Sequence, residues 1–125
     1  MNRSLNGRQH WTVARLVYWY LDRGRWEQAE TLARGLLTLD NSDGLAWKYY
    51  GEARRKQGDY EGAARAFSEA ASRRPEDGQV WMRLGDCMLR RGRRDEARRA
   101  LQKAQKVVDA ELRRRVEALL VACGA

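Results

Sequence analysis

Side chains able to do covalent or acid–base chemistry are few and scattered in this 125-residue sequence. There is one histidine, His10, and there are two cysteines, Cys87 and Cys123, far apart and without a Cys-x-x-Cys neighbour. A structural zinc site asks for four such ligands at close spacing, and a disulfide framework for several regularly placed cysteines. Neither is signalled, so both thiols are expected to be reduced and buried, as small hydrophobes. Catalysis needs a nucleophile or an acid–base pair whose partners converge, and the sequence shows no phosphate-cradling glycine loop and no paired metal ligands. The acidic pairs Glu76-Asp77 and Asp95-Glu96 fall at expected helix starts, where carboxylates complement the helix dipole and cap free amides. The expectation is a non-enzyme with no cofactor and no metal.

Arginine is abundant instead. It supplies 21 of the 25 basic residues, against 17 acids, for a net charge of +8. Doublets such as Arg54-Arg55, Arg73-Arg74 and Arg98-Arg99 spread their charge, because adjacent residues on a helix point about 100° apart. Arg90, Arg91, Arg93 and Arg94 are denser and form the candidate contact for phosphate or an acidic protein surface.

The elements that must position these residues follow from a repeat. Gly24, Gly58 and Gly92 recur every 34 residues, and so do Ala29, Ala63 and Ala97. Val13, Trp47 and Trp81 keep the same register, as do Leu16, Tyr50 and Leu84, and Leu36, Ala70 and Ala104. Such a period is the signature of a stacked repeat architecture. The division expected from it is a basic arm over 1–9, three repeats over 10–43, 44–77 and 78–111, and a closing segment over 112–125. Apolar residues within each unit recur at helical spacing, giving two amphipathic helices with the glycine in the turn between them. Asp59 and Asp77 are placed to cap the helices that follow them. Leu112, Val116, Leu119, Leu120 and Cys123 form one stripe, so the last segment reads as a helix capping the third unit. The fold expected is all-α, a helical-repeat solenoid of three helix pairs plus a C-terminal helix.

The repeated residues resemble the tetratricopeptide repeat. The middle unit carries its pattern nearly in full, as Trp47, Tyr50, Gly51, Gly58, Tyr60, Ala63, Phe67, Ala70 and Pro75. The third unit has Arg94 in place of the aromatic and Asp109 in place of the proline. The first departs further, with Val13, Val17, Ala33 and Asn41 at positions the pattern fills otherwise. Among families of this size the chain looks most like the small three-repeat chaperones of bacterial type III secretion, through the stretch that runs from Leu21-Asp22-Arg23-Gly24 to Leu36-Leu37-Thr38-Leu39.

That resemblance implies a protein–protein interaction module that receives a peptide or helix of a partner on one face of each unit's first helix, as a secretion chaperone or assembly adaptor. The residues it places there include Trp11, Tyr18, Leu45, Tyr49, Met82, Arg83 and Leu89. Apolar and aromatic side chains on an open face are the composition of binding hot spots. Where some relatives clamp a C-terminal carboxylate, this chain has Ala14, Tyr18, Tyr49, Gln79 and Arg83, of which only Arg83 could serve, so a more hydrophobic ligand is favoured. The alternative reading is a basic repeat protein binding nucleic acid or an acidic surface through its arginine clusters. Trp11, Val17, Trp19 and Trp26 make the first unit unusually aromatic, which suggests a homodimer through that unit. The opening residues resemble no export signal and no run approaches a membrane span, so the expected location is the cytoplasm.

Overall fold

The computed structural model describes residues 5–124, which form seven α-helices and, among the described residues, no strand. These are α1 (Gly7–Asp22), α2 (Trp26–Leu39), α3 (Gly44–Lys56), α4 (Tyr60–Arg73), α5 (Gly78–Arg90), α6 (Arg94–Val107) and α7 (Ala110–Ala122). Each helix packs chiefly on its neighbours in sequence, and α1 also meets α3 while α5 also meets α7.

The glycine period builds the same turn three times. Gly24, Gly58 and Gly92 have φ of 73°, 84° and 76°, the left-handed conformation that a side chain would oppose. The amide after each glycine donates back to a carbonyl in the preceding helix, Arg25 to Tyr20, Asp59 to Arg54 and Arg93 to Met88, at 2.9 to 3.0 Å. This is the Schellman closure, and it uses carbonyls that the helix end leaves free.

Helix starts are less uniform. Asp43, Asp59, Asp77 and Asp109 each accept an amide of the helix they precede, and Asn6 with Gln9 makes a capping box. Arg25 and Arg93 stand at the starts of α2 and α6 without a side-chain cap. The position of Asp59 in the middle unit is thus filled by arginine in the other two. The helix α1 begins at Gly7, so residues 7–9 of the N-terminal arm are its first turn, while residues 1–4 of that arm lie outside the described residues.

Inside each pair, one small and one large residue meet. A Cβ on Gly51 would sit 2.9 Å from the Phe67 ring, and one on Gly85 would sit 2.5 Å from Leu101. Both partners are fully buried, a burial worth roughly 1.5–3 kcal/mol for each such side chain. In the first unit the sizes are exchanged, with Val17 and Ala33 at the corresponding places, both with no exposed surface. Val17 for glycine and Ala33 for the large residue are therefore one compensated change.

Each of the two later units also anchors a tryptophan. The Trp47 Nε1–H donates to the Asn41 carbonyl and the Trp81 Nε1–H to the Pro75 carbonyl, both at 2.8 Å. The helix α7 closes the far end by burying Val116 and Cys123 in one cluster with Met82, Leu101 and Ala104. No helix is long and apolar enough to cross a membrane among the described residues.

Candidate functional site: a cleft between the first helices

Four of the sequence-predicted residues come together. Trp11 and Tyr18 on α1 and Leu45 and Tyr49 on α3 line one cleft of about 400 Å³, completed by Ala14, Arg15, Trp19, Asp22 and Arg23. The two helices are held at this spacing by their ends. His10 pairs with the Asp43 carboxylate, whose other oxygen caps α3 through the Leu45 and Ala46 amides. One acidic side chain therefore fixes both the start of α3 and the approach of α1.

The cleft's aromatic rings are open to solvent. Trp11 is 60% exposed and Tyr18 57%, whereas Tyr49 is half-buried at the floor with its ring centroid 6.1 Å from that of Tyr18. Burial, and then the neighbouring Tyr18, push the Tyr49 phenol above its ordinary pKa, so it is a neutral hydroxyl at physiological pH. Arg15 lies 4.7 Å from the Trp11 ring and Arg23 lies 4.0 Å from the Trp19 ring, which braces both indoles while leaving them exposed. Sequence reasoning did not place Trp19 or Arg23 on this face. They lie beside the expected positions, and only the packing of α1 on α3 shows that they border the same cleft.

The remaining predicted residues lie elsewhere. Met82 does not line an open groove, because it is 1% exposed, covered by the closing helix α7. Leu89 is half-buried against the same cluster. Arg83 sits one helix further along, at the position in α5 that Tyr49 holds in α3, with its Nε 3.0 Å from Glu52. Burial pulls its guanidinium below the usual arginine value, Glu52 opposes this, and Arg55 and Arg115 add to it. The aromatic first half of the face thus gives way to a charged second half.

The dense arginine run is mostly engaged within the chain. Arg90 reaches Asp86 at 3.5 Å and lies 5.0 Å from the Tyr60 ring, Arg91 reaches Glu61 at 3.7 Å, and Arg93 reaches Glu96 at 3.7 Å. Arg94 opens α6 and lies against Gly124. Even so, residues 90–125 carry six of the eight net positive charges, so the far end of the chain is its basic end.

Other reactive groups are held silent by packing. Cys87 is buried, and burial and then Asp86 push its thiol up to about 12. Cys123 is also buried and shifted upward by burial. A thiol so shifted supplies almost no thiolate at neutral pH. Among the described residues no three His, Cys, Asp or Glu side chains converge on one point.

A tetratricopeptide repeat model matches residues 54–120, more than half the chain, and a second matches residues 16–71. The chain belongs to the tetratricopeptide repeat family. No curated protein matches it by sequence. Its fold is shared with the Yersinia enterocolitica type III secretion translocator chaperone SycD, at 23% identity and a TM-score of 0.90 over 98% of this chain and 88% of that one. PcrH from Pseudomonas aeruginosa is similar at 25% identity and a TM-score of 0.88, over 100% of this chain and 98% of that one. PcrH in complex with the chaperone binding region of PopD gives 24% identity and 0.90, over 98% and 96%.

Proposed function

We propose that this protein is a non-catalytic chaperone or assembly adaptor that holds an apolar segment of a partner protein in the cleft between α1 and α3. The observation that carries this reading is the convergence of Trp11, Tyr18, Leu45 and Tyr49 on one open cleft, at the end of the face that α7 leaves uncovered. Aromatic side chains present large contact areas at low entropic cost, and such residues dominate binding energies. The shared fold with PcrH bound to the chaperone binding region of PopD supports a secretion partner of that kind, met in the cytoplasm before export.

We read the outer face of α1 as a second contact, made with another copy of this chain. Trp19 stands where the later units have Ala53 and Cys87, both fully buried against the preceding pair, yet it is 43% exposed. Leu16 beside it is also exposed. An apolar surface of this kind at the end of a solenoid asks for a cover. Sedimentation of wild type and Trp19→Glu over the micromolar range tests it. A dimer lost in the variant supports the reading, and a monomeric wild type removes it.

The test of the cleft is capture of the partner. After isolation of the bound protein by co-purification, Tyr18→Ala with Tyr49→Ala is expected to weaken capture at least tenfold, about 1.4 kcal/mol. Charge reversal at Arg90, Arg91, Arg93 and Arg94 is expected to change it little. The opposite pattern would favour an acidic or nucleic-acid partner at the basic end.

A further inference from the structure

Resting on the cleft reading, we propose that the bound segment also carries an acidic side chain, received by Arg55 and Arg83, which Glu52 bridges from α3 to α5. Glu52 lies between the two arginines. Its Oε2 accepts from the Arg55 terminal nitrogen at 3.0 Å, and its Oε1 is 3.0 Å from the Arg83 Nε. That second contact is an ion pair without hydrogen-bond alignment, so Glu52 Oε1, Arg55 Nε and Arg83 Nε are all buried and without a hydrogen-bond partner. Buried polar groups are almost always paired, so this junction has unused donor capacity, and the part of each guanidinium that still reaches solvent, with the side chains 15% and 16% exposed, can offer N–H donors to an incoming oxygen.

The local charge agrees. Glu52 pairs with both Arg55 and Arg83, Asp86 is turned to Arg90 and is the weakest of the charges acting on Arg83, and Arg115 from α7 adds a third positive charge, so the local balance is positive. A carboxylate arriving here would meet fixed, partly desolvated donors, the setting in which charge-assisted hydrogen bonds are strong. Arg83 holds in α5 the position that Tyr49 holds in α3, a step of about one helix diameter along the same face, ~10–12 Å. An extended chain covers that distance in about three residues. The ligand implied is a segment with an apolar anchor and, about three residues away, Asp or Glu.

Displayed random dodecapeptides selected on the full-length protein and on its variants test this. On the wild type, selected peptides should be enriched in apolar residues and in an acid at about that spacing. Replacing the acid by its amide in a selected peptide should weaken binding about tenfold. On Arg83→Gln the acid enrichment should vanish while the apolar enrichment stays, and Arg115→Gln, on the closing helix, should reduce it. Glu52→Gln, which removes the competing acid, should raise it. Circular dichroism melts establish that each variant is folded, and Arg115→Gln keeps the test open should Arg83→Gln fail to fold. Apolar enrichment without acid enrichment on the wild type, or acid enrichment unchanged in Arg83→Gln and Arg115→Gln, overturns the acid site and leaves the cleft standing. Selection of no apolar peptides, or of the same peptides by Tyr18→Ala with Tyr49→Ala, overturns the cleft and the acid site together.

Discussion

The two ends of this solenoid are finished in opposite ways. At the C-terminal end α7 lays Val116 and Cys123 over Met82 and Leu101, and the outer surface is rich in arginine. At the N-terminal end Trp11, Leu16, Tyr18 and Trp19 are exposed, and no described residue covers them. A helix pair buries its apolar face only against a neighbour, so an end lacking one must be made polar, capped by an extra helix, or used for binding. Among the described residues one end is capped and the other open, so the cleft between α1 and α3 stands free while Met82 of the last unit is core.

The largest effect expected from breaking this contrast is at the capped end. Val116→Asp places a charge among fully buried apolar groups and should cost more than about 3 kcal/mol in denaturant melts. Trp19→Glu at the open end should change monomer stability by less than about 1 kcal/mol. Equal losses at both ends would remove the distinction.

The exchanged core pair sharpens it next. Gly51→Val should drive into Phe67 and destabilise by about 1–3 kcal/mol. Adding Phe67→Ala reproduces the Val17 and Ala33 arrangement of the first unit, and the double variant should be more stable than the two single losses combined predict. A strictly additive double variant would mean that the first unit's core is not a compensated version of the others.

Much of this was legible beforehand. The 34-residue register specified the glycine turns, and Asp59 and Asp77 cap their helices because an aspartate after the turn has a free amide to accept. The cleft was half legible, because helix-face positions follow from periodicity but cover by a later segment does not. Met82 was misplaced for that reason. By their N-caps, Asp77 and Asp109, α7 starts 32 residues after α5, two short of the repeat. A strict 34-residue ladder therefore hides that Arg115 takes the place corresponding to Arg83. The Glu52, Arg55 and Arg83 cluster was not legible, since the alignment of donors and acceptors across two helices is a matter of packing.

Acid pH probes the junction between the middle and last units. Asp77 caps α5 and also holds Lys48 at 2.9 Å and Arg74 at 3.4 Å. Burial would raise its pKa, but these cations and the Val80 amide together lower it below the ordinary 3.8. A carboxyl lowered in the folded state stabilises above its unfolded value, and that stability is lost as pH falls through the folded one. Stability should therefore drop below about pH 4, and Asp77→Asn should lose about 1–3 kcal/mol at neutral pH and flatten that acid limb.

The smallest effect expected is a gain. Arg25 and Arg93 stand at uncapped helix starts, where aspartate serves the middle unit, and a positive charge there opposes the helix dipole. Arg25→Asp and Arg93→Asp should each stabilise by about 1 kcal/mol, read as a higher denaturation midpoint with an unchanged slope.

The most direct test of the account is the dissociation constant of the captured partner segment, measured for three forms of the protein at low and high salt. Tyr18→Ala with Tyr49→Ala should bind at least tenfold more weakly than wild type at both salt concentrations, and reversal of Arg90, Arg91, Arg93 and Arg94 should stay within about threefold. Wild-type affinity in the tyrosine variant, with binding lost on arginine reversal and steeply dependent on salt, would contradict it.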